Sequence, residues 1–378
     1  MGIIKKKLNY VSLDRIKREH AHYNLLIGQR SNGKTFAVFK EALERFVKTG
    51  EQSALIRRWR EDFRGKRGEA MFRGLVSQGI PGKLTDGKWT EISYYAGRWY
   101  LARYDEEKDK LIRHPEPFCF AFALSEMEHD KSTSYDNITL VMFDEFISRN
   151  GYLNDEFVIF QNVLSTIIRQ RNNVVIYMMA NTINKYAPYW KEMGLVGIDK
   201  FQEGDLKVFR YGESELRVAV QFTDSLSKEG KPSDVYFAFN NPKLQMITGQ
   251  GQVWEIDIYP HCPRKYYKDN VLYSYFIDFN DELLQCDIVN IKDETFTFIH
   301  RKTGKIKYPE KDLVFSLNDS PRLNHRKYIY EAFDKLGKKI YYFYQIHKVF
   351  YQDNDVGELV RNYLMQKGDS SPSAFSYL

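Results

Sequence analysis

The segment Leu25–Leu43, LLIGQRSNGKTFAVFKEAL, constrains the fold more than any other stretch of this 378-residue chain. An apolar run enters Gly28, four residues pass, and Gly33, Lys34 and Thr35 open a stretch with helical apolar spacing. Strand, glycine-bounded turn, Lys-Thr and helix in that order form a phosphate-binding loop pattern. The glycines let the backbone curl so that successive N–H groups converge on an anion, and the helix presents its positive end to the same point. Gly28, Gln29, Arg30, Ser31, Asn32, Gly33, Lys34 and Thr35 are therefore the expected nucleotide cradle. In such a cradle Lys34 bridges the β- and γ-phosphates of ATP and the Thr35 hydroxyl holds Mg²⁺.

The surrounding sequence supplies a sheet for this loop. Apolar runs at Asn24–Gly28, Ser53–Arg58, Phe118–Leu124, Ile138–Asp144 and Val174–Asn181 are predicted strands. Helices are predicted over Lys34–Lys48 and Asp155–Gln170, the second with Asn154 as N-cap. Strands alternating with helices imply an α/β domain with a mostly parallel sheet covered on both faces. Trp89–Tyr104 breaks the rhythm and reads as a hairpin turning at Ala96-Gly97. The loop-like SLSKEGKPSDV follows, and beyond Gln250 the chain turns aromatic and strand-rich (QVWEIDIY, VLYSYFIDF, TFTFIH), with helices expected at Asn324–Gly337 and Asp355–Gln366. The expected organisation is an ATPase domain over 1–222, a linker over 223–250 and a smaller α/β or α+β domain over 251–378.

A phosphate cradle needs a carboxylate for its metal and a group that activates water. ITLVMFDEF ends an apolar strand on Asp144-Glu145. Asp144 would hold the Mg²⁺ shell and Glu145 would deprotonate the attacking water. A second acid of this kind suits a hydrolase better than a kinase. Asn181, at the tip of the next strand, is either a γ-phosphate sensor or an ordinary turn residue. Arg169 and Arg171 leave the second helix on different faces, so at most one of them supports the core side. The other either favours the helix C-terminus or acts on a neighbour's nucleotide. Arg57, Arg58 and Arg60 follow the second strand and suit a nucleotide lid, a DNA backbone contact or a solvated face.

Other groups are less specific. Asp257, Asp278 and Asp281 are candidate nuclease carboxylates, although FIDFND is also an ordinary hairpin turn. Cys119, Cys262 and Cys286 lie too far apart for a disulfide framework or a metal motif. A net charge of +6 permits an anionic partner without demanding one. No run is apolar enough for a signal peptide or a membrane span, so a cytoplasmic setting without membrane contact is expected.

Taken together, IGQRSNGKT, GEQSALIRRWR, DKSTSYDNITLVMFDEF and LSTIIRQRNNVVIYMMANTINKYAPYW resemble, in order and surroundings, the DNA-packaging motor ATPases of small tailed bacteriophages of the φ29 type. The resemblance covers about residues 20–195 and is faint beyond Gln250. It implies an additional-strand, glutamate-using P-loop core that assembles as a homopentameric ring at the portal vertex of a prohead in the host cytoplasm. That ring would drive double-stranded DNA inward with ATP and Mg²⁺. It also implies that Arg169 reaches the adjacent subunit's site, with Lys131 near that interface, and that the second domain is RNase H-like and its nuclease vestigial. A packaging RNA is a partner in this family that the chain itself does not reveal. Two rival functions share the chemistry: a motor-nuclease terminase, and a helicase or DNA-transfer ATPase acting on cellular DNA.

Overall fold

In a computed structural model, the structure describes residues 11–28, 32–126, 135–148, 151–153, 155–180, 186–223, 259–262, 265–292, 294–331 and 334–366. Its elements fall into two compact units, the first carrying those from Asp14 to Phe222 and the second those from Lys268 to Leu364. No helix among the described residues is long and apolar enough to cross a membrane.

The first unit is built on β1 (Tyr23–Ile27), β2 (Gln52–Arg57), β3 (Glu91–Tyr95), β4 (Arg98–Asp105), β5 (Lys110–Arg113), β6 (Cys119–Ala123), β7 (Ile138–Asp144), β8 (Val175–Ala180), β9 (Leu206–Arg210) and β10 (Arg217–Phe222). They join in the order β3-β4-β6-β2-β7-β8-β1-β10-β9, with β5 on β4. From β6 to β10 every neighbouring pair is parallel. All seven residues of β7, ITLVMFD, are buried, as a central parallel strand covered on both faces requires. One strand, β8, stands between β1 and β7, which is the additional strand implied by the resemblance.

Among the described residues, two helices of more than ten residues cover this sheet, α1 (Lys34–Thr49) and α2 (Glu156–Ile168). Val38, Phe39, Ala42, Leu43 and Phe46 form the buried stripe of α1, and Gly50 ends it in the left-handed conformation with its N–H on Phe46 O. Helix α2 buries Phe160, Val163, Leu164 and Ile167 at the same spacing. The hairpin β3–β4 turns at Ala96 and Gly97, both at positive φ, the backbone a two-residue hairpin of matching twist needs. Strands β9 and β10 were not read from the sequence, because their short runs sit among charged residues. Yet β10 lies directly beside β1, in register from Tyr23↔Val218 to Ile27↔Phe222.

The second unit holds β11 (Val271–Phe279), β12 (Glu282–Ile291), β13 (Glu294–Arg301), β14 (Val314–Ser316), β15 (His325–Arg326) and β16 (Val349–Tyr351) in the order β15-β14-β11-β12-β13-β16. The centre is an antiparallel meander, and β14, β15 and β16 add in parallel at its edges. The described connections from β13 to β15 contain no helix. Both long helices, α3 (Lys335–Gln345) and α4 (Asn354–Leu364), come later. The helix expected at Asn324–Gly337 therefore lies about one element further on. Gly337 is not its terminus; its N–H donates to the Asp334 N-cap at 2.7 Å.

Candidate nucleotide site

Register brings the carboxyl ends of four strands to one edge. Ile27 pairs with Ala180, Met179 with Asp144, and Ile56 with Phe143. Anionic ligands of open α/β sheets bind outside this edge. Here β1 runs into Gly28 and β7 into Glu145.

Gly33 takes a left-handed backbone, φ 85°, and α1 starts at Lys34. Lys34 is 2% exposed. Its ammonium donates to Gly28 O at 3.2 Å and to Asn32 Oδ1 at 2.9 Å. Burial draws its pKa down to about 7, with Asp144 pulling the other way. Thr35 donates its hydroxyl to Asp144 Oδ1 at 3.0 Å. A hydroxyl and a carboxylate at that separation are hard oxygen donors, the chemistry Mg²⁺ selects. No cluster of three or more His, Cys, Asp or Glu side chains suited to a metal occurs among the described residues. Among the described residues, Thr35 and Asp144 would hold Mg²⁺, and the ion would keep waters and phosphate oxygens as further ligands, as it usually does.

The two adjacent acids sit in opposite surroundings. Asp144 ends β7 and is 5% exposed, and burial raises its pKa while Arg57 lowers it. Glu145 turns out of the strand at φ 59°, and its side chain is 56% exposed. Arg57, at the end of β2, joins them. Its Nη2 meets Asp144 Oδ2 at 2.8 Å and its Nη1 meets Glu145 Oε2 at 2.7 Å.

The arginines after β2 therefore divide. Arg57 faces the acid pair rather than a lid or DNA. Arg58 is buried; its Nε and Nη2 hold Glu156 at 2.6 and 2.7 Å, and further bonds reach Glu145 O and Phe146 O. Tyr189 donates to the same carboxylate at 2.7 Å. Arg58 is thus withdrawn from any lid or DNA face, and it ties β2 to the start of α2. Only Arg60 is exposed, paired with Glu126. Replacing Arg58 with Met would strand a buried Glu156 carboxylate. The expected loss is about 3–5 kcal/mol of stability, read by chemical denaturation. A loss under about 1 kcal/mol would contradict this account of the pair.

Arg169 and Arg171 divide as the helix period requires. Arg171 donates to five backbone carbonyls, of Tyr135, Asp136, Ile138, Ile167 and Ile168, and so rivets the end of α2 to the start of β7. Arg169 is exposed, at φ 52° just past α2. The structure does not bring it to the cradle. Thr35 touches the far end of β7, and six strand rises of about 3.3 Å put roughly 20 Å between the two ends. Gln29, Arg30, Ser31, Lys131, Asn181 and Asp257 lie outside the described residues. Asp278 is the penultimate residue of β11, paired with Leu283, and Asp281 sits in the β11–β12 turn, where Asn280 and Asp281 both adopt positive φ, the ordinary hairpin reading.

Sequence reasoning named Arg57 without its role at the acid pair, and it missed Thr223. Arg57's place depends on β2 lying beside β7, which no local pattern reveals. Thr223, read as the first linker residue, instead packs under the cradle. It is 1% exposed and accepts from Asn32 Nδ2 at 2.6 Å.

Strand order and the Gly33–Thr35 strand-to-helix turn together define a P-loop-type α/β fold with an additional strand. Comparison with known proteins sharpens the class. Residues 109–209 match the family described as Podovirus DNA encapsidation protein (Gp16). A DNA packaging protein of Bacillus phage B103 is 29% identical over 176 residues, 46% of this chain and 48% of that protein. The chain spans about half the length of the curated relatives it matches. Two solved structures share the fold. "The Phi-28 gp11 DNA packaging Motor" has 15% identity, covers 96% of this chain and 99% of its own, and gives a TM-score of 0.53. "The bacteriophage Phi-29 viral genome packaging motor assembly" has 18% identity, covers 93% and 96%, and gives 0.52. The chain is similar to the φ29-type packaging proteins, as the order of its motifs implies.

Lys34 supplies a pH test of the cradle. Held by Gly28 O and Asn32 Oδ1, it loses its proton near pH 7. A triphosphate in place of those acceptors restores the charged form. Binding above pH 7 then takes up on the order of one proton, and affinity falls as pH rises, by at most about tenfold per unit. Calorimetry at pH 8 in two buffers of different ionisation enthalpy reads the uptake. Absence of uptake in wild type, or equal uptake in Lys34→Ala, would contradict the assignment.

Proposed function

We propose that this chain is the ATP-hydrolysing subunit of a ring, in this reading a homopentamer, that drives double-stranded DNA into a viral prohead. The observation that carries the reading is the meeting of Thr35 and Asp144 at 3.0 Å, beside a buried Lys34, at the carboxyl edge of the sheet. In this reading Lys34 holds the β- and γ-phosphates of ATP, and Thr35 and Asp144 carry Mg²⁺. When bound, that ion neutralises charge on the transferring phosphoryl group. Glu145, exposed beside it, takes the proton of the attacking water. Arg169 completes the site of the neighbouring subunit, with Lys131 assigned to the same interface and Asn181 to sensing the γ-phosphate. The family match and the names of the relatives support the packaging role. The setting would be the host cytoplasm and, transiently, the portal vertex, with a packaging RNA as a further possible partner. We read the second unit as an RNase H-like docking module. No acidic cluster among its described residues favours the motor-nuclease alternative.

The test is nuclease protection of DNA with purified chain, proheads and ATP. Packaging requires protection only when all three are present. ATP-driven strand separation or movement on free DNA without proheads would favour the helicase or DNA-transfer reading instead.

A further inference from the structure

The end of β10 pins both ends of the phosphate-binding curl. Thr223 N donates to Ile27 O at 2.8 Å, and its hydroxyl donates to the same carbonyl at 3.0 Å. That hydroxyl in turn accepts from Asn32 Nδ2 at 2.6 Å. Ile27 precedes the curl and Asn32 lies near its end, so one buried hydroxyl bridges the two sides of the cradle. The direction of the chain also settles the Asn32 amide. With Nδ2 committed to Thr223, Oδ1 is turned to the Lys34 ammonium, 2.9 Å away. Asn32 is 3% exposed, so water does not readily replace these partners. Gly28 completes the arrangement. A Cβ there would lie 2.3 Å from Thr223 Oγ1, so Gly28 packs directly on the end of β10.

We propose that Thr223 is a positioning residue for the nucleotide site: through Asn32 it fixes the curl and the place of Lys34 before a triphosphate arrives. The inference rests on the P-loop reading given above. Its physical content is preorganisation, since a loop closed in advance spends less binding energy on ordering. Thr223 touches neither the metal ligands Thr35 and Asp144 nor Glu145 among its described contacts. Its loss should therefore weaken binding and leave the chemical step alone.

The experiment compares Thr223→Val, which keeps the volume and removes the hydroxyl, with Thr223→Ser, which keeps the hydroxyl. MgATP binding and steady-state turnover are measured for both in the full chain, beside Lys34→Ala. Expected for Thr223→Val is a rise of about five- to tenfold in Kd and KM, the scale of one buried hydrogen bond, with kcat within about twofold. Thr223→Ser should return both to within about twofold of wild type. Asn32→Ala combined with Thr223→Val should lose no more than the worse single variant, because the two residues act in series. Unchanged affinity in Thr223→Val, a fall confined to kcat, or failure of Ser to rescue overturns the inference and leaves the P-loop reading intact. Wild-type chain with no Lys34-dependent MgATP binding overturns both.

Discussion

Arg169→Ala should lower ATP turnover of the assembled ring by about 10³-fold or more, while each subunit still folds and binds nucleotide. The size follows from the chemistry, since an arginine placed against a transferring phosphoryl group from outside the site supplies rate of that order. The direction of action follows from the fold. Arg169 leaves the end of α2, and the Arg171 bonds hold that end at Tyr135, Asp136 and Ile138, at the start of β7. Thr35 meets the same strand at Asp144, its other end. A side chain cannot cross roughly 20 Å of sheet to its own cradle. In the proposed ring, a direct action of Arg169 on a phosphoryl group is therefore an action on the neighbour's nucleotide. Rings doped with the variant should fail more steeply than the mutant fraction. Arg171→Ala gives the contrast: it releases five carbonyls and should destabilise the fold without showing that ring-mixing behaviour. Proportional loss in mixed rings would remove Arg169 from the interface.

The second large effect concerns the acid pair. Glu145→Gln should cut turnover by about 10²–10⁴-fold and leave MgATP affinity within about twofold. Neighbours in sequence, Asp144 and Glu145 are separated by environment. The strand buries Asp144 against Thr35, whereas the left-handed turn at position 145 swings its carboxylate into the open, 2.7 Å from Arg57 Nη1. An amide in that place keeps the shape and removes the carboxylate proposed as the base. Turnover unchanged in phosphate-release assays would move the water-activating role elsewhere. Loss of binding would show instead that Glu145 supports the cradle.

Much of this site was legible in the sequence because its parts are local. Gly33 and Lys34 at a strand-to-helix turn, and Asp144-Glu145 closing a run of six largely apolar residues, each carry their signal within one element. The division between Arg169 and Arg171 was legible for the same reason, as a matter of helix period. What stayed hidden depends on which strands become neighbours. Arg57 looked like part of a basic surface run until β2 was seen beside β7. Arg58 looked alike and is buried, because its partner Glu156 lies 98 positions away. Thr223 reaches the cradle only because β10, a short strand without a strong pattern, lies beside β1. In the second unit, the helix expected at Asn324–Gly337 starts instead at Lys335. Asp334 is its N-cap and accepts the N–H of Gly337.

The central claim is that Lys34 and Thr35 share one magnesium triphosphate with Asp144. A density map of the chain with Mg²⁺ and a non-hydrolysable ATP analogue tests it most directly. The account requires β- and γ-phosphates within hydrogen-bond reach of Lys34 Nζ, and a metal touching both Thr35 Oγ1 and Asp144. A nucleotide bound away from the curl, or a metal with neither of those oxygens in its shell, would contradict it.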